Sequence, residues 1–100
     1  MVIMYITCKD RKEARQISMH LLKKRAIACS NIFPVESMYR WNYKIVDEPE
    51  YIIMAKTNNK NFKKAVDEVK KVHSYKIPCI LRIEAKANKE YESWVNKEVK

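Results

Sequence analysis

From Val35 to Val46 the chain alternates with a period of two. Ser37, Tyr39, Trp41, Tyr43 and Ile45 fall on one side, and Glu36, Met38, Arg40, Asn42 and Lys44 on the other. That period belongs to an extended strand, so the stretch predicts one long strand with its aromatic side chains on one face. Just upstream, Ala26 to Ile32 also reads as strand, and Phe33-Pro34 should interrupt its ladder because proline donates no hydrogen bond. Together the two pieces form a second strand far longer than the about 5–6 residues usual in a small sheet. The excess must project. A projecting strand with unpaired edges and aromatic side chains aggregates unless something covers it. The expected cover is another copy of the chain; the alternative is a bend at Pro34 that lays the strand back on its own sheet.

The remaining elements follow from local pattern. Val2 to Thr7 is apolar or β-favouring throughout, as in a buried central strand. Asp10 offers a helix N-cap with Glu13 as its capping-box partner. Ala14, Ile17, Leu21 and Leu22 then recur at helical spacing, and Lys23, Lys24 and Arg25 suit the negative end of a helix dipole; this helix runs from about 11 to 25. Asp47-Glu48-Pro49 reads as a turn, and Glu50 to Lys56 as a third strand. Asn58 caps a second helix whose buried stripe is Phe62, Ala65, Val66, Val69 and Val72. Pro78 opens a fourth strand that runs through Ala85, Lys86 to Asn88 turns, and a short third helix carries Tyr91, Trp94 and Val95. The order β-α-β-β-α-β predicts an α+β, ferredoxin-like sandwich with an added C-terminal helix. Right-handed crossovers place two helices on one face of an antiparallel sheet of order 4-1-3-2. At 100 residues a single domain over 1–100 is expected.

Composition removes several functions. There is no glycine. That excludes the phosphate-binding P-loop, the dinucleotide G-x-G-x-x-G turn and the G-x-S-x-G nucleophile elbow, together with the G-x-x-G clamp of KH domains. The 21 Lys and Arg against 12 Asp and Glu give a net charge of +9, which makes nucleic acid a partner to weigh. The basic residues are scattered, however, and the third strand Tyr51-Ile52-Ile53-Met54-Ala55-Lys56 lacks the glycines and stacking aromatics of an RRM. Nucleic acid is therefore not expected as a partner. An acylphosphatase-like enzyme would need an anion cradle after the first strand, where Cys8-Lys9-Asp10-Arg11 puts an acidic residue; no enzymatic activity is expected. No apolar run reaches the about 20 residues of a membrane span, and the N-terminus has neither a signal nor a transit pattern, so a cytoplasmic protein without membrane contact is expected. The three cysteines, Cys8, Cys29 and Cys79, then read as reduced thiols.

The topology brings chemistry to one end of the sheet. Cys8 leaves the first strand there, His73 closes the second helix there, and Cys79 starts the fourth strand there. Two thiols and an imidazole would suit copper or another soft or borderline divalent ion, with Glu48 or Glu50 near. The alternative is plain packing: a cysteine in a β-rich core is a small hydrophobe, and a histidine at a helix C-terminus complements the dipole. Cys29 belongs to the opposite end and to the core, and His20 to a helix surface or boundary.

The run Ala28-Cys29-Ser30-Asn31-Ile32-Phe33-Pro34-Val35-Glu36-Ser37-Met38-Tyr39-Arg40-Trp41 resembles the signature of the CutA family of divalent-cation tolerance proteins. Lys44-Ile45 and Lys56-Thr57 continue the match. His73, Tyr75, Pro78 and Ile80 resemble the family's H-P-Y-x-x-P-x-I segment, and Tyr91 with Trp94 its Y-x-x-W. The resemblance implies a ferredoxin-like homotrimer, similar in architecture to PII signalling proteins, whose long strands pair between subunits. It implies a role in tolerance to copper and other divalent metals, no required cofactor, and no catalysis. Tyr39, Trp41, Tyr43, Phe33 and Pro34 are then expected at the trimer interface, and Cys8, His73 and Cys79 as metal ligands. A PII-like adaptor that binds a small ligand in clefts between subunits is the alternative. The chain departs from the pattern at Ser74 (for proline), at Asn42-Tyr43 (for an acidic residue and glycine) and at Cys79 (where an acidic residue is common). The family's strand-one cysteine falls at Ile6, so His73 is the ligand that carries over by motif.

Overall fold

The computed structural model describes residues 1–100. Strand β1 is Val2–Cys8, followed by helix α1 (Arg11–Lys23), strands β2 (Cys29–Trp41) and β3 (Lys44–Thr57), helix α2 (Phe62–Val72), strand β4 (Ile80–Glu84) and helix α3 (Lys89–Glu98). The sheet is antiparallel, of order β2-β3-β1-β4. This is the expected ferredoxin-like arrangement, with β1 and β3 central.

Alternation along β1 decides the layers. Met4, Ile6 and Cys8 point to one face and are buried with Ala14, Ile17 and Leu21 of α1 and Ala65 and Val69 of α2. Burial of this apolar area, at roughly 25 cal/mol per Å², drives both helices onto that side. Asp10 caps α1 by accepting the Glu13 amide at 2.8 Å, as anticipated. A smaller cluster of Ala28, Val95 and Val99 seats α3 at the far end of the sheet. The middle of the opposite face, with Tyr5, Leu81 and Ile83, carries no layer in the single chain, and Leu81 and Ile83 are exposed.

The structure corrects the long strand. Its second part is a hairpin: β2 ends at Trp41, β3 begins at Lys44, and Trp41 pairs with Lys44. Asn42 and Tyr43 make the turn with φ of 49° and 64°, a two-residue connection whose left-handed residues match the twist of the strands. Asp47-Glu48-Pro49, read as a turn, lies inside β3 opposite Met38, Ser37 and Glu36. Because the chain reverses at 42–43, Ile45 pairs with Arg40 and shares its face rather than that of Trp41. Nor does Pro34 interrupt the strand. It pairs with Tyr51 in an unbroken ladder, which an edge strand such as β2 tolerates where the missing N–H points away from its neighbour. The hairpin projects all the same, and the molecule measures 45 × 25 × 20 Å.

With no glycine in the chain, every left-handed position is occupied by a residue with a Cβ: Arg25, Asn42 and Tyr43. Arg25 closes α1 in a Schellman motif. Its N–H reaches Leu22 O and that of Ala26 reaches Leu21 O, both at 3.0 Å. Asn42 is the residue at the hairpin tip that best tolerates the conformation. Asn42→Ala should destabilise the chain by about 1 kcal/mol, measured by urea unfolding. An unchanged midpoint would contradict this turn.

Candidate functional site

The segment after α2 ties the end of the sheet together. His73 caps α2, its N–H bonding to Val69 O. Its ring reaches back to β1, where Nε2 donates to Thr7 O at 2.7 Å. Nδ1 accepts the Tyr75 N–H at 3.0 Å. A carbonyl only accepts and an amide only donates, so the proton sits on Nε2 and the ring is neutral. Glu13 of α1, 5% exposed, accepts the Lys9 N–H at Oε1 (3.0 Å) and the Ser74 N–H at Oε2 (2.9 Å). Ligand atoms of Cys8, Glu13 and His73 all lie within 4.8 Å of one another.

Cys8 and His73 are therefore brought together as expected, with Glu13 as the third member in place of Cys79. Register explains the substitution. Ile6 pairs with Ile80, and the Thr7 N–H reaches Cys79 O at 3.4 Å, so Cys79 stands opposite Thr7. Neighbouring residues of a strand face opposite sides. Cys8 points to the helix layer and Cys79 to the other face. Both cysteines do reach the same end of the sheet, but the sheet separates them. The sequence marks Glu13 only as a capping partner; its burial at N3 of α1, beside a strand ending in cysteine, is a tertiary fact with no local signal. Cys29, expected in the core, is half-buried, and its Sγ meets Tyr91 OH at 3.1 Å at the far end. His20 bonds Glu68 at 2.8 Å on the helix surface.

Electrostatics follow from burial. The Cys8 thiol is pushed up to about 12, first by burial and then by the charges of Glu13, Glu50 and Asp10. For Glu13, burial works upward, but hydrogen bonds from Ser74 and Lys9 together outweigh it and hold the carboxyl below its ordinary value. Cys79 is raised by burial and by Glu50.

On the other face, the same segment and the hairpin enclose a cleft of about 730 Å³. Cys79, Glu50, Tyr75, Tyr39 and Trp41 are among the residues that line it. Tyr75 OH donates to Glu50 Oε2 and Tyr39 OH to Glu48 Oε1, each at 2.5 Å. The Tyr75 hydroxyl is held well above the ordinary tyrosine range by burial and by Glu50; that of Tyr39 is raised to about 12, chiefly by its bond to Glu48. Of the residues expected at an interface, Phe33, Tyr39 and Trp41 are exposed on the hairpin, and Tyr43, at its tip, is 99% exposed in the single chain.

The Glu13 clasp has a pH signature. A carboxyl whose folded value lies below its unfolded one stabilises the protein at pH above the unfolded value, and that contribution is lost as pH falls through the folded value. Glu13→Ala should cost about 1–3 kcal/mol for each amide left without an acceptor. It should also flatten the loss of stability below about pH 4, as read by urea unfolding across pH. An acid limb identical to that of the parent chain would rule the clasp out.

Known proteins resemble this chain in sequence and in fold. A sequence model described as the CutA1 divalent ion tolerance protein matches residues 2–98. The divalent-cation tolerance protein CutA of Archaeoglobus fulgidus is 40% identical over 96 residues, covering 95% of this chain and 94% of that one. The CutA of Thermococcus kodakarensis is 35% identical over 95 residues, covering 94% and 91%. Among solved structures, CutA1 of Pyrococcus horikoshii superposes with a TM-score of 0.96 at 33% identity, covering 100% of this chain and 99% of that one. A PII-like protein CutA of Nostoc, at 24% identity, superposes with a TM-score of 0.94 over 100% and 98%, a likeness of fold. On the match across 97 of its residues and the kinship with the Archaeoglobus and Thermococcus proteins, this chain belongs to the CutA1 divalent ion tolerance family.

Proposed function

We propose that this chain works as a homotrimer in divalent-cation tolerance, taking up copper or another soft or borderline divalent ion and so contributing to the response to metal. The observation that carries this reading is the convergence of Cys8, Glu13 and His73 within 4.8 Å in a member of a family named for cation tolerance. Thiolate, carboxylate and imidazole make a donor set for Cu(II) or Zn(II). Loading it has a cost. The Cys8 proton must leave a thiol raised to about 12, and a ring nitrogen of His73 must give up Thr7 or Tyr75. Metal capture would thus release protons and loosen the clasp. The three unpaired thiols favour a cytoplasmic setting, although the Archaeoglobus structure is described as that of a periplasmic protein. No helix is long and apolar enough to cross a membrane.

Self-association is supported by what the single chain leaves uncovered. β2 is an edge strand of 13 residues, Met38, Trp41 and Ile45 are exposed near the hairpin end, and Leu81 and Ile83 are exposed on the bare sheet face. Long apolar edges of this kind need cover. A second reading, a PII-like adaptor that binds a small ligand at subunit boundaries, is favoured by the cleft beside the hairpin.

Native mass spectrometry of the reduced protein with a slight excess of copper tests the proposal. Three chains and about one metal per chain are expected, with uptake weakened about tenfold or more by Cys8→Ser or His73→Ala and unchanged by Cys79→Ser. A trimer that stays metal-free would leave the cleft reading. Trp41, 46% exposed in the single chain, tests the assembly: Trp41→Ala should cost about 3–5 kcal/mol if a neighbour buries the ring and lower the trimer fraction in sedimentation. A variant that remains trimeric with unchanged melting would contradict that interface.

A further inference from the structure

Along the sequence the basic residues are scattered; the fold gathers them. Residues 9–25 and 59–72, which carry α1 and α2, hold 12 Lys and Arg against four Asp and Glu, a balance of +8 in a chain of +9. Residues 29–57, which carry β2 and β3, hold three basic side chains and four acidic ones. All 12 cations of the helix layer are exposed. The four acids do little to balance them: Glu13 and Glu68 are buried, Asp10 caps α1, and Asp67 pairs with Lys63 at 3.0 Å. Arg11, Lys12, Arg15, Lys23, Lys60 and Lys70 belong to none of the ion pairs in the chain. The two helices lie side by side and antiparallel. Lys64 Nζ of α2 donates to Lys24 O, just after α1, at 2.7 Å, while the Ser74 N–H beyond α2 reaches Glu13 at the start of α1. Free cations thus stand at both ends of one face, and a field of one sign attracts polyanions.

What the face lacks narrows the partner. Interfaces between proteins are poor in Lys and anchored by aromatic residues; this face is mostly Lys, and neither helix exposes an aromatic ring. Single-stranded nucleic acid stacks its bases on such rings. Duplex RNA is told from DNA by polar contacts to its 2′-hydroxyls, and Gln16 is the one exposed uncharged polar side chain on the two helices. A bilayer surface is held by buried Trp, Phe or Leu side chains, whereas Met19, Leu22 and Val72 are the apolar residues exposed here. Copies that pack through the bare sheet face also turn their helix layers outward in different directions, which one flat surface cannot meet together. The phosphates of a double helix need only charge. The 13 residues of α1 span about 20 Å, over which B-DNA presents about a dozen phosphates. We propose that the α1–α2 face binds the phosphate backbone of double-stranded DNA without reading its sequence. An RRM-like mode would use the sheet, which is the opposite face. The proposal is separate from metal capture and uses the self-association reading only to place the helices outside.

The test is fluorescence anisotropy of a labelled DNA duplex of about 20 base pairs, titrated with the assembled protein between about 50 and 200 mM KCl. Sedimentation of the same sample counts chains. Affinity should fall with salt on a log–log plot with a slope of about −4 to −5, equivalent to about five phosphates neutralised, and two unrelated sequences should bind alike. Lys12→Gln, Arg15→Gln and Lys23→Gln together should flatten the slope by about two to three. Lys86→Gln, Lys89→Gln and Lys97→Gln remove the same charge around α3 and should leave the slope as in the parent. If the first triple variant fails to fold, Arg15→Gln alone should flatten it by about one. The inference is overturned if no binding appears at about 50 mM KCl, or if both triple variants weaken it alike. It is equally overturned if phosphatidylserine vesicles, single strands or an RNA duplex, at equal phosphate concentration, bind about tenfold more tightly than the DNA. A monomer that binds the duplex supports it while refuting the trimer; a trimer that ignores the duplex refutes this inference alone.

Discussion

One buried carboxylate and one neutral imidazole hold the end of this sheet. Glu13 takes the amides of Lys9 and Ser74, and His73 bridges Thr7 O and the Tyr75 N–H. These bonds join the exit of β1, the start of α1 and the exit of α2, three points distant in sequence. Buried backbone polar groups must find partners, and here side chains supply them where no ladder can. The consequence reaches the other face. With Ser74 and His73 fixed, the segment must turn round the sheet end, which carries Tyr75 to Glu50 and Cys79 to the cleft. The cluster of Cys8, Glu13 and His73 and the cleft are thus two sides of one staple.

This coupling gives the two functional readings a shared physical basis. An ion that draws a His73 nitrogen or the Glu13 carboxylate into its coordination sphere removes a hydrogen bond from the staple. The segment carrying Tyr75 is what closes the cleft on one side, and the hairpin aromatics close it on the other.

Much of this was legible in the sequence, and the failures have physical causes. Asp10 with the stripe Ala14, Ile17 and Leu21 marked α1, and the apolar run of β1 marked a central strand. The hairpin was missed because period two continues through a two-residue turn: Trp41 and Lys44 pair across it, so the alternation shows no break. The usual glycine signal is absent from this chain, and the clue lay in Asn42-Tyr43 replacing a turn pair of the CutA pattern. Asp47-Glu48-Pro49 has turn residues, yet pairing with β2 holds it extended, tertiary context overriding local preference. At the site, topology put Cys8, His73 and Cys79 at one end correctly. Which face each cysteine takes depends on a register of one residue, and the position of Glu13 depends on how α1 docks; neither has a local signature.

The claim that most needs testing is the staple itself. Long-range proton–nitrogen correlation spectra of the histidine rings, recorded on the assembled protein at neutral pH, read it directly. The account predicts that His73 is a single neutral tautomer with its proton on Nε2 and Nδ1 acting as an acceptor. A ring carrying its proton on Nδ1, a doubly protonated ring, or rapid exchange between tautomers would mean that His73 does not bind Thr7 and Tyr75, and the link between the two faces would fall.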